Sequence, residues 1–389
     1  MNEFATQAQA QEARHLLQVY GQLPIEPTSA KGVYLHCGEQ QILDLYGGHA
    51  VAALGYSHPD LMAALQAQAA TLFFQSNAIA LPVRARAADA LIDLAPGKLE
   101  RVFFANSGAE ANENALRIAC KLTGRRRIAA IEKGFHGRTA GAGAVTWGSA
   151  DRWYGFPETP FDVDFIPRDE VAAVTRGITE ETAAVILELV QGVAGAYDLA
   201  PDFVTAIADR CQATGTLLIV DEVQSGIGRC GAPFAANLYG IAPDLLTTAK
   251  SLGGGFPCSA LLLTDDVAAA VGPGDLGTTF GGGPLACALI STVIEVINRD
   301  DLMARATALH AQLAAALPVG PALALQGKGL LAGVRCARPA REIQAELLAA
   351  GILVGSSADP QVLRLLPPLV IESEHIEQLL EALAKLPAA

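Results

Sequence analysis

Two residues stand directly behind apolar runs that read as buried strands. Asp221 follows TLLIV at 216–220, and Lys250 follows DLLTT at 244–248 and one alanine. An acid at the end of a buried strand is costly unless it meets a partner. A lysine among Ala249, Ser251 and Leu252, ahead of the glycines at 253–255, can lose hydration and have its pKa lowered. That is the condition for a Schiff-base lysine. An acid and a lysine at strand ends of one sheet form the pair that a pyridoxal phosphate site needs. The lysine holds the aldehyde, and the acid keeps the pyridine nitrogen protonated so that the ring draws electrons. The bland alternative is a surface lysine and a helix-capping aspartate. After RVFFA at 101–105, residues 106–110 (NSGAE) open a helix. Their backbone N–H groups could hold a phosphate, although a plain capped helix has the same letters. Residues 226–231 (GIGRCG) fit GxGxxG, the dinucleotide fingerprint. Five residues separate Gly226 from Val220 and Pro233 follows at once, so the pattern reads as a glycine-rich loop. An NAD-dependent dehydrogenase is the remote alternative.

The elements that must carry these residues alternate. RVFFA, RIAAI at 127–131, FDVDFI at 161–166, AAVILELV at 183–190, TLLIV, DLLTT and SALLL at 259–263 read as strands. Apolar runs without polar alternation suit parallel strands buried on both faces. Ala115, Ile118, Ala119 and Leu122 share one helix face, as do Phe203, Ile207 and Cys211. Strand–helix alternation predicts an α/β layer, with reactive groups gathered at the carboxyl ends of its strands. Long helical patterns around short strands (LLAGV, VLRLL) follow, a smaller α+β domain. The expected division is an amino-terminal segment at 1–50 packing with the small domain, a large domain at 51–295 and the small domain at 296–389.

The whole chain has 389 residues, enough for two to three domains. Hydrophobic residues make up 51% and charged ones 17%, which excludes global disorder. Its net charge of −13 argues against nucleic acid or an anionic membrane as partner. The amino terminus lacks a signal-peptide pattern, no apolar run spans a membrane, and seven scattered cysteines without a CxxC pair read as reduced thiols in the core of a cytoplasmic protein.

Five motifs in order, NSGAEANENALRIA, GFHGRT, VDEVQSGIGR, PDLLTTAKSLGGG and GTTFGGGPLACA, resemble the class III aminotransferases. The likeness runs from about Leu43 to Ile371 and is nearest to acetylornithine aminotransferases, with the LysW-carrier lysine aminotransferases close by. It implies the pyridoxal-phosphate fold of type I: a large domain on a mostly parallel seven-stranded sheet plus a smaller α+β domain. It also implies a homodimer with small-molecule substrates, working in arginine biosynthesis. The terminal amino group of N2-acetylornithine would pass to 2-oxoglutarate, giving N-acetylglutamate 5-semialdehyde and glutamate. Succinylornithine, free ornithine and carrier-bound lysine are the alternative donors. By resemblance Lys250 is the Schiff-base lysine and proton carrier, and Asp221 the acid under the pyridine nitrogen. Gly108 and Ala109 are the phosphate loop, Phe135 the stacking ring, Gln224 the partner of the phenolic oxygen and Glu188 the glutamate beside the cofactor. Thr279 contacts the phosphate of the neighbouring subunit. Arg138 and Thr278 are substrate contacts, and Arg364 grips the α-carboxylate of glutamate or 2-oxoglutarate. His136 is read as structural, and no metal is expected.

The chain departs from this pattern at four places. Val193 stands where relatives carry a glutamate that pairs with the arginine matched by Arg364. Arg364 is therefore expected to stay available in both half-reactions. His49 stands where ornithine enzymes carry tyrosine and acetylornithine enzymes an apolar residue, so its imidazole could recognise a polar or anionic tail. Gly283 and Leu276 replace a common asparagine and histidine. These differences bear on the acyl group and leave the cofactor chemistry intact.

Overall fold

The computed structural model describes residues 6–388. Residues 1–5, part of the run that lacks a signal-peptide pattern, lie outside the described residues. Strands Leu99–Ala105, Arg127–Ile131, Asp162–Ile166, Thr182–Leu187, Leu217–Asp221, Leu245–Thr248 and Ser259–Thr264 form one seven-stranded sheet. From edge to edge the order is the first, seventh, sixth, fifth, fourth, second and third of these strands.

Alternate residues of the central strands enter two different cores. Val185 and Leu187 pack with Ala129, Ile131 and Val220 on one face. Ala184 and Ile186 pack with Ile128, Ala130 and Ile219 on the other. Both faces are dry, so the runs carry no polar alternation. SALLL reads the same way in sequence but runs antiparallel to both of its neighbours, strands Leu245–Thr248 and Leu99–Ala105. Burial on two faces, rather than strand direction, sets such a pattern. The run AAVILELV also divides. The ladder ends at Leu187, and Val190–Gln191 pairs separately with Tyr197–Asp198. The buried Glu188 between them needs donors that no apolar neighbour offers.

Helix Gly108–Thr123 starts at the carboxyl end of the first strand and ends on Gly124 in the left-handed conformation. Its Ala115, Ile118 and Ala119 are buried, whereas Leu122 at the last turn is 40% exposed. Phe203, Ile207 and Cys211 of helix Pro201–Thr214 are buried together. A four-stranded sheet at the amino-terminal end takes its last strand, Ile352–Leu353, from far along the chain, parallel to Gln40–Asp44. A second four-stranded sheet contains Val362–Leu365, which carries Arg364. Loop 226–231 packs against helix Leu302–Ala316, and a Cβ on Gly231 would lie 2.3 Å from Thr307 Oγ1. Nothing the size of a dinucleotide can approach that backbone.

Candidate active site

Five segments leave the large sheet at the same end and enclose a cavity of about 480 Å³, within the range of small-molecule sites. Ser107, Gly108 and Ala109 enter it from the first strand, Phe135 and Arg138 from the second, and Glu188 and Val193 from the fourth. Asp221, Val223 and Gln224 enter from the fifth strand, and Ala249 and Lys250 from the sixth.

Asp221 is 3% exposed and held on both oxygens. Oδ1 accepts from the Val223 N–H at 3.0 Å. Oδ2 accepts from Asn112 Nδ2 at 2.8 Å and lies 2.7 Å from His136 Nδ1. Asn112 also donates to the His136 carbonyl at 2.8 Å and accepts from Thr247 Oγ1 at 2.6 Å. One asparagine thus ties together the helix, the strand carrying Asp221 and the strand before Lys250. His136, expected to be structural, acts by fixing this acid.

Lys250 adopts φ 47°, a left-handed conformation that a side-chain-bearing residue holds only when its surroundings enforce it. Among the described residues its amine makes no hydrogen bond or ion pair. Burial lowers its pKa and the charge of Arg364 adds to this, while Asp221 and Glu188 oppose. Glu188 accepts from the N–H groups of Phe135 at 2.8 Å and Gly192 at 3.2 Å. Burial and then the charge of Asp221 push its carboxyl up.

Ser107 caps helix Gly108–Thr123 by accepting from the Glu110 N–H at 3.2 Å. Among the described residues the N–H groups of Gly108 and Ala109 meet no acceptor. They point from the positive end of a four-turn helix, a ready anion site. Gln224 Nε2 reaches the His49 carbonyl at 3.5 Å, while its Oε1 is buried with no partner. Gly192 makes room for it, since a Cβ there would lie 1.6 Å from that oxygen.

Arg364 is 7% exposed and, among the described residues, donates only to neutral acceptors. These are the Ser356 carbonyl at 2.6 Å, the Tyr46 hydroxyl at 2.7 Å and the Gly192 carbonyl at 3.3 Å. Burial lowers its pKa, opposed by Tyr46 and Glu188. His49 is solvent-accessible, with its ring 4.7 Å from that of Tyr46. Partial burial and then the charges of Arg364 and Lys250 lower its pKa. Thr278 Oγ1 accepts from Asn106 Nδ2 at 3.0 Å at the rim. Thr279 is exposed, and it, Thr278, His49 and Arg364 are not among the residues lining this cavity. Asn112, Tyr46 and Gly192 are the residues that sequence reasoning missed. Each is an ordinary letter whose partner lies far along the chain.

These donors fit pyridoxal phosphate. An anion site of free N–H groups, a fixed acid, an unpaired amine and the orphaned Gln224 Oε1 surround one cavity with Phe135 in its wall. Among the described residues no group of three or more His, Cys, Asp or Glu could hold a metal ion.

The family model described as aminotransferase class-III matches residues 18–386. The acetylornithine aminotransferase of Methanosarcina acetivorans is 36% identical, over 96% of this chain and 94% of that protein. The acetylornithine/succinyldiaminopimelate aminotransferase of Yersinia pestis is 39% identical, over 95% and 94%. Among solved structures, an ornithine aminotransferase from Toxoplasma gondii with partial occupancy of PLP at its active site superposes with a TM-score of 0.91. It is 29% identical and covers 98% of this chain and 94% of its own. The acetylornithine aminotransferase from Elizabethkingia anophelis has a TM-score of 0.87 at 28% identity, covering 99% of both chains.

Proposed function

The chain belongs to the class-III aminotransferase family, and from that premise we propose that it moves the terminal amino group of N2-acetylornithine to 2-oxoglutarate. The observation that carries this reading is a pair of arginines with no carboxylate partner among the described residues: Arg138 lines the same cavity as the unpaired Lys250 amine, and Arg364 is near enough for its charge to lower the pKa of that amine. Two planar cations of this kind suit substrates that carry carboxylates away from the reacting amine, because guanidinium binds carboxylate through two parallel hydrogen bonds.

Pyridoxal phosphate, when bound, supplies an aldehyde carbon that takes up the amino group and a ring that withdraws electrons from it. The N–H groups of Gly108 and Ala109 hold its phosphate. Asp221, locked by Asn112 and His136, keeps the ring nitrogen protonated. Phe135 would pack against the cofactor ring, the orphaned Gln224 Oε1 would partner its phenolic oxygen, and Glu188 would lie beside it. Lys250 Nζ, with a pKa lowered by burial, takes the proton from the substrate carbon and returns it. Arg138 and Thr278 hold the donor, with His49 at the donor mouth, and Arg364 holds the α-carboxylate of glutamate or 2-oxoglutarate. Val193 puts no charge beside Arg364, so that arginine is open in both half-reactions.

The working form in this proposal is a homodimer in which Thr279 serves the neighbouring site. Its support is the exposed apolar surface beside that loop, with Phe73, Phe74, Ile79 and Phe280 between 42% and 67% exposed. A cytoplasmic location is part of the same proposal, in keeping with five buried free thiols. No described helix is long and apolar enough to cross a membrane.

Borohydride reduction of the yellow protein should bleach it and label Lys250. Single-turnover reaction with acetylated, succinylated and free ornithine and with acylated lysines tests the donor. Acetylornithine should react fastest; equal rates with free and acetylated ornithine would reject the assignment.

A further inference from the structure

At the donor end of the cavity one cation is held without any counter-ion. Arg138 is exposed, and among the described residues it makes no hydrogen bond or ion pair. Its guanidinium carbon lies 5.4 Å from the centre of the Phe135 ring and 5.3 Å from that of Trp153. Trp153 is itself fixed. The N–H groups of Arg152, Trp153 and Tyr154 converge on the Ser149 carbonyl at 2.9 to 3.0 Å. Ser149 Oγ donates to the Gly143 carbonyl, and the Tyr154 hydroxyl donates to the Ala140 carbonyl, both at 2.7 Å. The helix beneath is AGAGA, Ala140–Ala144. A Cβ on Gly143 would sit 3.2 Å from the Tyr154 ring and 3.4 Å from that of Trp153, so small residues let both rings lie close. Glu113 anchors the backbone just after Arg138, accepting from the N–H groups of Gly141 at 2.8 Å and Ala142 at 3.0 Å.

We propose that Trp153 is a specificity-determining positioning residue that selects amino donors bearing a carboxylate remote from the reacting amine. It acts through Arg138 and so rests on the function proposed above. A guanidinium held over aromatic rings by cation–π contact spends no N–H donor on an acceptor, so its donors stay free. The rings orient it without competing for the carboxylate, as an acidic partner would. Orientation before binding spares the entropy that a free arginine side chain loses on capture.

The test compares wild type, Trp153→Ala and Trp153→Phe with two donors: N2-acetylornithine and monoacetylated 1,4-diaminobutane, which lacks the carboxylate. The carboxylate-free donor is the internal control, and stopped-flow absorbance reads the donor half-reaction by itself. Trp153→Ala should lower kcat/KM for acetylornithine about five- to thirty-fold, mainly through KM, the range of a cation–π contact at a partly dry site. Trp153→Phe should recover most of this. The decarboxylated donor should stay within about two-fold, because it has no carboxylate for Arg138 to hold. Equal losses with both donors, or none, would overturn the inference alone. A wild type that treats the two donors alike would overturn the donor assignment and this inference together.

Discussion

Glu222, next to the cofactor-side acid, should make the protein lose stability as pH rises from about 4.5 to about 7. It is fully buried, accepting from the Ala236 N–H at 2.8 Å and from the Ser225 hydroxyl. Burial pushes its pKa from 4.5 up to about 7, against the pull of Ser225 and the Ala236 and Ala235 N–H groups, with Asp221 pushing further. The unfolded chain releases this proton near pH 4.5, whereas the folded chain keeps it until about pH 7. Between those values the folded state binds the extra proton, so stability falls with rising pH. The contribution is complete below about pH 4.5 and is lost once pH passes about 7. At about 1.4 kcal/mol per pKa unit, it amounts to roughly 3 kcal/mol. Glu222→Gln keeps the shape but cannot ionise; its oxygen can accept from the Ala236 N–H while its NH2 donates to Ser225 Oγ, reversing that bond. Its advantage over wild type should be near zero at pH 4.5 and grow to roughly 3 kcal/mol by pH 8. Urea-unfolding midpoints of both proteins from pH 4.5 to 8.5, at one protein and cofactor concentration, measure it. Parallel curves for the two proteins would refute the reasoning.

Three further outcomes follow from the site. Lys250→Arg keeps the charge but removes the amine that moves the proton; kcat should fall at least about a thousand-fold while the fold, read by circular dichroism, is retained. Asn112→Ala takes a charge-assisted hydrogen bond of about 1.5–3 kcal/mol from Asp221, so pyridoxal phosphate should bind about ten- to a hundred-fold more weakly in an absorbance titration. Val193→Glu places a carboxylate within reach of Arg364; KM for 2-oxoglutarate should rise about ten-fold with little change in the donor half-reaction, and unchanged rates in both would dismiss the masking idea.

The seven strands were legible because burial on both sheet faces leaves uninterrupted apolar letters. The direction of Ser259–Thr264 was not, since the same burial acts on it whichever way it runs. Asp221 and Lys250 could be found from position, an acid and an amine following buried strands. Arg138, Gln224, Thr278 and Arg364 needed the motif resemblance, because nothing local separates them from surface polar residues. Asn112 could not be found by either route. It lies inside a helix, where a polar residue usually faces water, yet it is 1% exposed. Its role comes from partners brought together only when helix and sheet pack. Tyr46 is hidden in the same way, meeting Arg364 across 318 residues of sequence. Its signal would be a hydroxyl in the amino-terminal segment, and such residues are common there.

A net charge of −13 disfavours anionic ligands in general, and the placement of two arginines offsets this at the site. Several cations elsewhere are matched. Arg127 pairs with Asp164, Arg299 with Asp60 and Asp300, Arg338 with Glu346, and Arg101 with Asp265. Such exposed pairs add little stability, but they take up the acids that could otherwise reach further. At the cavity, Arg138 meets two aromatic rings and Arg364 a phenol and two carbonyls. Glu188 is near enough to raise the pKa of Arg364, yet both of its oxygens are taken by the N–H groups of Phe135 and Gly192. Neutral partners orient these guanidinium groups and leave their charge uncompensated. A carboxylate entering the cavity then displaces no ion pair. Its attraction to the arginine is kept for binding, which is how a strongly acidic protein can still hold dianionic substrates.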